Sequence, residues 1–560
     1  MGDFVFEVPP AARGWLDQTL WKNAYLCGIE GVPFQTSVSR QANRVTLKRR
    51  IESSARLWIA CHVPSRGYRT LSTCSLRPSD RPYHLQLELA RGLCSVVRDQ
   101  SDLWSRGGLG LTDEFRDQLS SGTDALLRSA SAVEPVETSL HAVEAIEQLA
   151  IAGDTLAELY CLQSIAFRRT RDQKLPTLFA ANAIPPDPVY ASSRQTHTAG
   201  RKVVAQTSGG GLNGSASTLA GDSKPSGNAK LSGNSKSSGN AKSSVNDATG
   251  DVGGEDWQSY CRAFNTVSLR TSWADIETDA GVLDFDAADA ALAVATATAK
   301  NIIAGPIIDF RERLMPHWLY RIEDDFSDFY NATLSFVEKV VRRFRGRVNV
   351  WNCADGLNTP GPLPISDEHA MKLAVGILQT VRRCDPNTAA ILSFDQPCGE
   401  YLARHRNGIS PMHFADAIAR SGLGMAGFGL GFRLGYRDTG TQPRSALDIN
   451  MTIDRWATLG MPMMVTLGVP GGVGSDTRAL APADTLEYAS RTQDPEAEQL
   501  RVAGPIVRTL LAKPMVHGVV WDGWHDARSH VNSHAGLIAP DGHHRPMMDY
   551  LVRLRNDFLT

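Results

Sequence analysis

The chain has 560 residues, more than one ordinary domain needs, and its length predicts two or three domains. Its composition, 42% hydrophobic and 21% charged, is that of a globular protein. The formal net charge of -2 gives no electrostatic reason to expect a nucleic acid or an anionic membrane surface. Both classes of partner are therefore excluded.

The N-terminal residues lack the basic and apolar segments of a signal peptide, and no apolar run approaches the roughly 18 residues of a membrane helix. The nine cysteines are scattered singly, without a Cys-x-x-Cys pair. An odd number in this pattern favours reduced thiols over a disulfide framework or a zinc site. These features predict a cytoplasmic protein with no metal and no cofactor.

In the first 110 residues, short segments of alternating apolar residues, such as Leu57–Val63 and Tyr83–Leu89, predict a β-sandwich-like domain. From residue 111 to 173 the apolar residues recur at helical spacing, for example at Ile146 and Leu149. This pattern predicts a helical bridge that leads into the C-terminal domain.

Residues 206–255 are of low complexity, and the unit Ser226–Lys230 recurs at Ser232–Lys236 and Ser238–Lys242. A Ser/Gly/Asn/Lys repeat with almost no apolar side chain cannot offset the entropy of ordering, so a disordered insertion is predicted. Its lysines are interpreted as solubilising charge rather than as contacts to a polyanion.

After residue 173, short apolar segments alternate with amphipathic helices, which predicts a β/α barrel over residues 174–560. The candidate strands number eight, as the barrel requires. They are Leu175–Ala180, Thr266–Leu269, Asn301–Ile308, Arg347–Trp351, Ala389–Phe394, Met425–Leu430, Met463–Leu467 and Val516–Trp521.

Several segments of this region stand in a characteristic order: Phe264–Val267 followed by Trp273, Gly305–Phe310 followed by Pro316–Leu319, Gly427–Leu430, and Gly518–Trp521. Together they resemble glycoside hydrolase family 10, the xylanase family. The resemblance implies a TIM barrel (an α/β fold) that holds an oligosaccharide or polysaccharide at its mouth. By analogy of architecture, it also suggests that residues 1–110 are a carbohydrate-binding module.

Both positions where the family has a catalytic glutamate carry other residues. The acid/base position is Gly356 and the nucleophile position is Leu467. A retaining glycosidase needs two carboxyl groups about 5 to 5.5 Å apart. Several of the family's sugar-contacting polar positions are also changed; they are Arg270, Thr271, Pro306, Gly431 and Arg433. The resemblance therefore predicts carbohydrate binding without ordinary retaining activity.

Three aspartates could supply a relocated acid/base pair: Asp355, one residue before the acid/base position, with Asp309 or Asp395 at neighbouring strand ends. The alternative is that Asp355 caps a loop or helix and the others are ordinary polar lining. Arg433 could bind a substrate carboxylate, or it could neutralise Asp355 or Asp395.

Four tryptophans at strand ends or in loops are candidates for stacking on sugar rings: Trp273, Trp318, Trp521 and Trp524. Core packing is the alternative, because Trp is buried on average. Aromatic rings facing a pocket favour carbohydrate binding. Rings buried in the core favour a non-catalytic scaffold for protein interaction, whose partner the sequence does not identify.

Five histidines follow the last strand: His525, His530, His534, His543 and His544. They lack the ligand spacing of zinc motifs. They are interpreted as loop histidines rather than as a metal site.

Overall fold

The computed structural model describes residues 2–171, 173–183, 255–299, 301–311, 313–405, 408–436, 440–481 and 494–560. The predicted insertion, residues 206–255, lies outside these ranges except for its last residue, Glu255, where a helix begins.

The N-terminal 84 residues form two four-stranded sheets. Their strands are β1 Gly2–Glu7, β2 Tyr25–Cys27, β3 Pro33–Phe34, β4 Ser37–Gln41, β5 Arg44–Arg49, β6 Arg56–Val63, β7 Gly67–Ser72 and β8 Ser79–His84. One sheet has the order β4-β5-β1-β8 and the other β3-β2-β6-β7. Phe4 and Leu47 of the first sheet and Leu57 and Ile59 of the second belong to one buried apolar cluster.

A short helix, α1 Arg13–Asp17, lies within this region, and three long helices follow it: α2 Leu85–Arg106, α3 Asp113–Ser131 and α4 Pro135–Arg169. The strand predicted over Tyr83–Leu89 is therefore wrong beyond His84. The His84 ring accepts a hydrogen bond from the backbone N–H of Leu87 at 3.4 Å and caps the helix. Leu85 and Leu89 recur at the four-residue spacing of a helix face.

Helix α4 has 35 residues and contributes to two clusters. Its Ile146 and Leu149 pack with the N-terminal sheets, whereas Leu156 packs in the large cluster around the barrel. The helix therefore joins the two regions by burial at both ends.

The remaining residues form a closed barrel of eight strands, and every pair of neighbours is parallel. Its strands are β9 Leu178–Ala183, β10 Thr266–Leu269, β11 Asn301–Ala304, β13 Val350–Asn352, β15 Ala389–Asp395, β16 Gly427–Arg433, β17 Met463–Gly468 and β19 Val516–Trp521. Each coincides with or overlaps a predicted strand, so the predicted barrel is confirmed. Two short pairs extend it: β12 Ile308–Asp309 with β14 Ala354–Asp355, and β18 Ala479–Ala481 with β20 His530–Asn532.

Helices alternate with these strands. They are α5 Glu255–Ala263, α6 Trp273–Ile276, α7 Asp286–Thr298, α8 Phe326–Phe344, α9 Asp367–Cys384, α10 Pro411–Arg420, α11 Ala446–Ala457, α12 Pro495–Ala512 and α13 Pro546–Phe558. Among the described residues, no helix is both long and apolar enough to cross a membrane.

Side chains alternate between the two faces of each barrel strand. Ala180, Ile303, Ile391, Met464 and Val520, one from each of five strands, form a separate buried cluster in the barrel interior. Their neighbours along the strands pack outward against the helices. The alternation decides which residues reach the mouth of the barrel.

Candidate functional site

The barrel mouth is the end of the barrel at which the eight parallel strands terminate. A group of charged residues, called here the charge cluster, lies at these strand ends: Arg270, Asp309, Arg311, Asp355, Asp395, Arg433 and Asp522. Parallel strands bring their carboxyl ends to one side, so residues far apart in sequence meet there.

Arg433 is 3% exposed and lies at the centre of the charge cluster. Its Nη1 donates to Oδ1 of Asp395 at 2.6 Å and its Nη2 to Oδ2 of Asp355 at 2.8 Å. Its Nε donates to Oδ2 of Asp522 at 3.1 Å. One guanidinium thus pairs with three buried carboxylates. This is the internal pairing with Asp355 and Asp395 that the sequence left open.

Arg311 forms a two-point contact with Asp309, through Nε to Oδ1 at 2.6 Å and Nη2 to Oδ2 at 2.5 Å. The same Nη2 lies 3.9 Å from Oδ2 of Asp355. Burial lowers the pKa of Arg270, although Asp309 opposes the shift. The cluster therefore holds four aspartates and three arginines, and they nearly compensate each other's charge.

Neutral side chains also contact the aspartates of the charge cluster. The Asn182 amide donates to Oδ1 of Asp522 at 3.0 Å and accepts from the Ser268 hydroxyl at 2.7 Å. Asn358 accepts from the backbone N–H of Asp395 at 3.0 Å. Asn182 therefore orients the carboxylate of Asp522, and Asn358 holds the backbone at Asp395.

Gly431 provides the space that the Arg433 side chain occupies. A Cβ atom at Gly431 would lie 2.6 Å from Nη1 of Arg433 and 3.3 Å from Oδ1 of Asp395. Any larger residue at this position would displace the guanidinium from the mouth. Arg433 can therefore take this position only because residue 431 is a glycine.

Two of the three carboxyls held by Arg433, those of Asp355 and Asp395, have pKa values shifted in opposite directions. Burial alone would raise the pKa of Asp355, but the charges of Arg433 and Arg311 outweigh it and hold that pKa below its ordinary value. Burial raises the pKa of Asp395, and the neighbouring charge of Asp355 adds to the increase while Arg433 opposes it. Opposite shifts in a pair of carboxyls are also what acid and base roles require.

The open space at the mouth is small. A cavity of about 20 Å³ is lined by Asp309, Asp355, Arg433 and their neighbours. That volume holds one or two water molecules. Sites that enclose small-molecule ligands measure roughly 300 to 1,000 Å³. A sugar ring would have to displace the Arg433 guanidinium to enter.

Three of the four candidate tryptophans are buried: Trp273, Trp521 and Trp524. Trp273 stacks on Phe336 with ring centroids 4.9 Å apart, and the Trp521 indole donates to the carbonyl of Ala535 at 2.8 Å. Both belong to the large apolar cluster around the barrel. Their rings therefore pack in the core.

Unlike Trp273 and Trp521, Trp524 lines a cavity and Trp318 is partly exposed. Trp524 packs edge-on against Tyr260 at 5.0 Å and lines a second small cavity, of about 40 Å³, beside Arg270. Trp318 is only partly buried, and its indole donates to the carbonyl of Glu277 at 3.1 Å. Of the four candidates, Trp318 has the most accessible ring.

The two positions that the resemblance assigns to catalytic glutamates lie at the ends of β14 and β17. Gly356 has a φ of +81°, a conformation that favours glycine, and its place would be strained for any other residue. Leu467 is fully buried in the apolar cluster outside the barrel interior. Neither side chain offers a proton or a nucleophile.

The histidines after β19 take part in local contacts. The His530 ring donates from Nε2 to the Asp476 carboxylate at 2.8 Å, and His543 contacts Glu496 at the same distance. In the described part of the chain, no group of three or more His, Cys, Asp or Glu side chains is arranged to hold a metal ion.

Two members of the charge cluster, Arg311 and Asp522, were not singled out from the sequence. The sequence position of each relative to a strand end could have identified it. Asp522 directly follows the last barrel strand, and Arg311 stands two residues after Asp309. A strand end is where barrel proteins place polar function, so position alone would have found both.

No protein-family model matches the chain, and no curated protein matches it. Among solved structures, the chain is similar to xylanase 10B from Thermotoga maritima, with 15% identity and a TM-score of 0.39 over 53% of this chain and 88% of that chain. It is also similar to xylanase XynB from Paenibacillus barcinonensis, with 14% identity and a TM-score of 0.39 over 53% and 91% of the two chains.

A family 10 endoxylanase from a sugarcane soil metagenome gives 12% identity and a TM-score of 0.40 over 53% of this chain and 90% of that chain. All three of these neighbours are xylanases. Identity and superposition at this level carry no activity over to this chain. The barrel itself is established by its own strand pairing.

Proposed function

We propose that this chain is a non-catalytic protein in which a xylanase-like barrel acts as a scaffold for interaction with another protein, rather than as a glycosidase. The core burial of Trp273 and Trp521 favours a scaffold over a sugar site, and one observation carries the absence of catalysis. The Arg433 guanidinium lies between Asp355 and Asp395 and donates to both. In a glycosidase, the space between the two carboxyls must admit the glycosidic oxygen of the substrate.

Opening that space has a high cost. Moving Arg433 would leave Asp355, Asp395 and Asp522 without their cation, and each is at most 4% exposed. Removing one partner of a buried ion pair costs about 3 to 5 kcal/mol. The contacts to a bound sugar would have to offset this free energy for the substrate to bind.

The proposed domain organisation supports the scaffold. In it, residues 1–110 would form a β-sandwich-like domain that also contains α2, residues 111–173 a helical bridge of α3 and α4, and residues 174–560 the barrel. Burial of α4 in both apolar clusters ties the three parts together.

The test is turnover of aryl β-xyloside and aryl β-cellobioside by the purified chain, with a family 10 xylanase as the positive control. We expect product release indistinguishable from buffer. Turnover in the ordinary enzyme range, about 1 to 1,000 per second, would refute the proposal.

Opposite pKa shifts at Asp355 and Asp395 favour a second candidate, a weak glycosidase with relocated carboxyls. In it Asp395 would be the acid and Asp355 the base, with Asp309 beside them. Any residual turnover should then disappear in Asp395→Asn and remain in the control Asp541→Asn, whose carboxylate lies in an exposed loop. Equal residual turnover in both variants would assign the activity to a contaminant.

Carbohydrate binding at the barrel mouth, expected from the sequence through Trp273, Trp318, Arg433, Trp521 and Trp524, stays a prediction, and the core packing of Trp273 and Trp521 counts against those two contacts. The partly exposed Trp318 is the side chain that supports it most. Calorimetric titration with xylo-, gluco- and manno-oligosaccharides tests it, with Trp318→Ala as the variant. Binding that Trp318→Ala weakens would support this alternative against the closed scaffold.

A further inference from the structure

A third cavity, much larger than the two described above, lies outside the barrel mouth. It is a cleft of about 520 Å³ between the N-terminal strands and the loop after β15. We call it the basic cleft, and its lining residues include Lys22, Gln35, Arg49, Arg50 and Glu400. Its volume is that of a site for a small molecule.

Hydrogen bonds across the boundary between the two regions hold the walls of the cleft in place. The backbone N–H of Thr36 donates to the carbonyl of Ala403 at 3.0 Å. Arg444 Nη2 donates both to the Tyr25 hydroxyl, at 2.7 Å, and to Oε1 of Glu400, at 2.8 Å. The cleft is therefore preformed and does not depend on one flexible loop.

Three cations of the basic cleft have no carboxylate partner among the described residues: Lys22, Arg49 and Arg50. A fourth, Lys48, pairs with Asp3 at 2.8 Å. Uncompensated cations that face one cavity attract an anion, and an arginine can bind an oxyanion through two N–H groups.

Arg49 is the most informative of them, because it is only 7% exposed. Its Nε donates to the carbonyl of Ile51 at 2.7 Å, its Nη2 contacts Ser53, and its guanidinium lies over the Phe34 ring. Its Nη1 is buried without a hydrogen-bond partner. Leaving a buried charged donor unpaired is costly, so a ligand oxygen at this atom would stabilise the site.

Glu400 lacks a hydrogen-bond donor, whereas Arg49 lacks an acceptor. The residue is 1% exposed, and its Oε1 accepts from Arg444 and from the backbone N–H of Gln442 at 3.2 Å. Its Oε2 is buried without a partner. A carboxylate oxygen can only accept, so the missing partner is a donor such as a hydroxyl group.

We propose that the basic cleft binds a small acidic saccharide, of one or two rings, through its anionic group and at least one hydroxyl. The oxyanion would face Arg49, Arg50 and Lys22, and a ring hydroxyl would donate to Glu400. Neutral side chains of the same wall, such as Gln35, can bond the remaining hydroxyls. Carboxylated and phosphorylated sugars share this chemistry.

This site is separate from the barrel mouth and does not depend on whether the barrel is catalytic. A failed glycosidase assay and a failed binding assay here are independent results.

Calorimetric titration of the full chain tests the proposal with four probes. Digalacturonic acid and glucose 6-phosphate represent the two acidic sources, xylobiose is the neutral control, and inorganic phosphate is the anion without a sugar. We expect at least one acidic saccharide to bind, xylobiose not to bind, and phosphate to bind at least about tenfold more weakly. Affinity should fall as salt is raised, because the cations are partly exposed.

Arg50→Gln and Lys22→Gln remove exposed cations without breaking an ion pair, so both variants should fold. Each should weaken binding of the acidic saccharide about fivefold. Arg116→Gln, on the exposed face of α3, removes the same charge elsewhere and should leave the affinity unchanged.

Glu400→Gln should weaken binding of the acidic saccharide but not of inorganic phosphate, which needs no acceptor at this position. Three outcomes overturn the proposal: no acidic saccharide binds more tightly than xylobiose; Arg50→Gln and Lys22→Gln behave like Arg116→Gln; or phosphate binds as tightly as the saccharides. Thermal melts of each variant establish that the fold is intact.

Discussion

The barrel mouth and the basic cleft both contain several arginines, yet one is closed and the other open. At the mouth, Arg433 and Arg311 face four aspartates, and about 20 Å³ remains. In the basic cleft, Arg49 and Arg50 face no carboxylate partner among the described residues, and about 520 Å³ remains. An arginine that pairs with nearby carboxylates fills its site, whereas an arginine without such a partner can bind an anionic ligand.

The largest effect should follow from removing the central cation of the mouth. Arg433→Leu leaves three buried aspartates uncompensated, and we expect a loss of about 3 to 5 kcal/mol in the free energy of unfolding. Urea denaturation measures it. Arg420→Leu, which breaks an exposed pair with Asp416, is the matched control and should change little. Equal stability of the two variants would show that the mouth is not held by this arginine.

The space beside Arg433 offers the next test. Gly431→Ala places a methyl group 2.6 Å from Nη1 of Arg433. Overpacking of this kind costs about 1 to 3 kcal/mol. Gly14→Ala serves as the control, since a Cβ atom added at Gly14 would meet no other atom within 4 Å. A Gly431→Ala variant as stable as wild type would mean that the Arg433 side chain can adopt another conformation of similar free energy.

The pH dependence of stability separates two of the three carboxyls that Arg433 holds, Asp355 and Asp395. The folded pKa of Asp355 is lowered, so its stabilisation is present above the unfolded value of about 3.9 and is lost as the pH falls through the folded pKa. The folded pKa of Asp395 is raised, so its stabilisation is present below about 3.9 and is lost as the pH rises through its folded pKa.

Asp355→Asn should therefore reduce the loss of stability below about pH 4, whereas Asp395→Asn should reduce the loss above it. Denaturation from about pH 3 to pH 7 checks both variants. If both changed the pH profile in the same direction, the two carboxyls would not be held at different acidities.

The smallest effect should occur in the basic cleft. Arg50→Gln breaks no ion pair, so we expect an unchanged melting temperature in the absence of ligand. Differential scanning calorimetry compares it with Arg433→Leu. A large destabilisation by Arg50→Gln would reveal an internal partner and would remove the contrast between the two regions.

The sequence by itself determined the barrel, because the alternation of strands and helices is a local property. All eight predicted strands coincide with or overlap barrel strands, and Thr266–Leu269 and Val516–Trp521 agree at both ends. The start of α2 was missed because seven residues of alternating character fit a short strand as well as a helix. The cap at His84 and the packing of α2 decided between them.

The sequence also placed Asp309, Asp355, Asp395 and Arg433 at strand ends, and the structure brings all four together. Their pairing is a tertiary property. Arg433 lies 38 residues from Asp395, 78 from Asp355 and 89 from its third partner, Asp522. Only the order and register of the strands around the barrel set these contacts. The local sequence therefore could not decide whether Arg433 pairs with aspartates of the chain or binds a substrate.

The direction of the strand-end side chains was decided by the tertiary structure as well. Leu467 and Trp521 are register partners and pack outside the barrel interior, whereas their neighbour Val520 faces into it. Strands buried on both faces read as continuous apolar runs, so the sequence does not show which alternate residues point inward. A shift of one residue exchanges the two faces, and that is the physical reason why the fold could be predicted while the inward or outward direction of Leu467 and Trp521 could not.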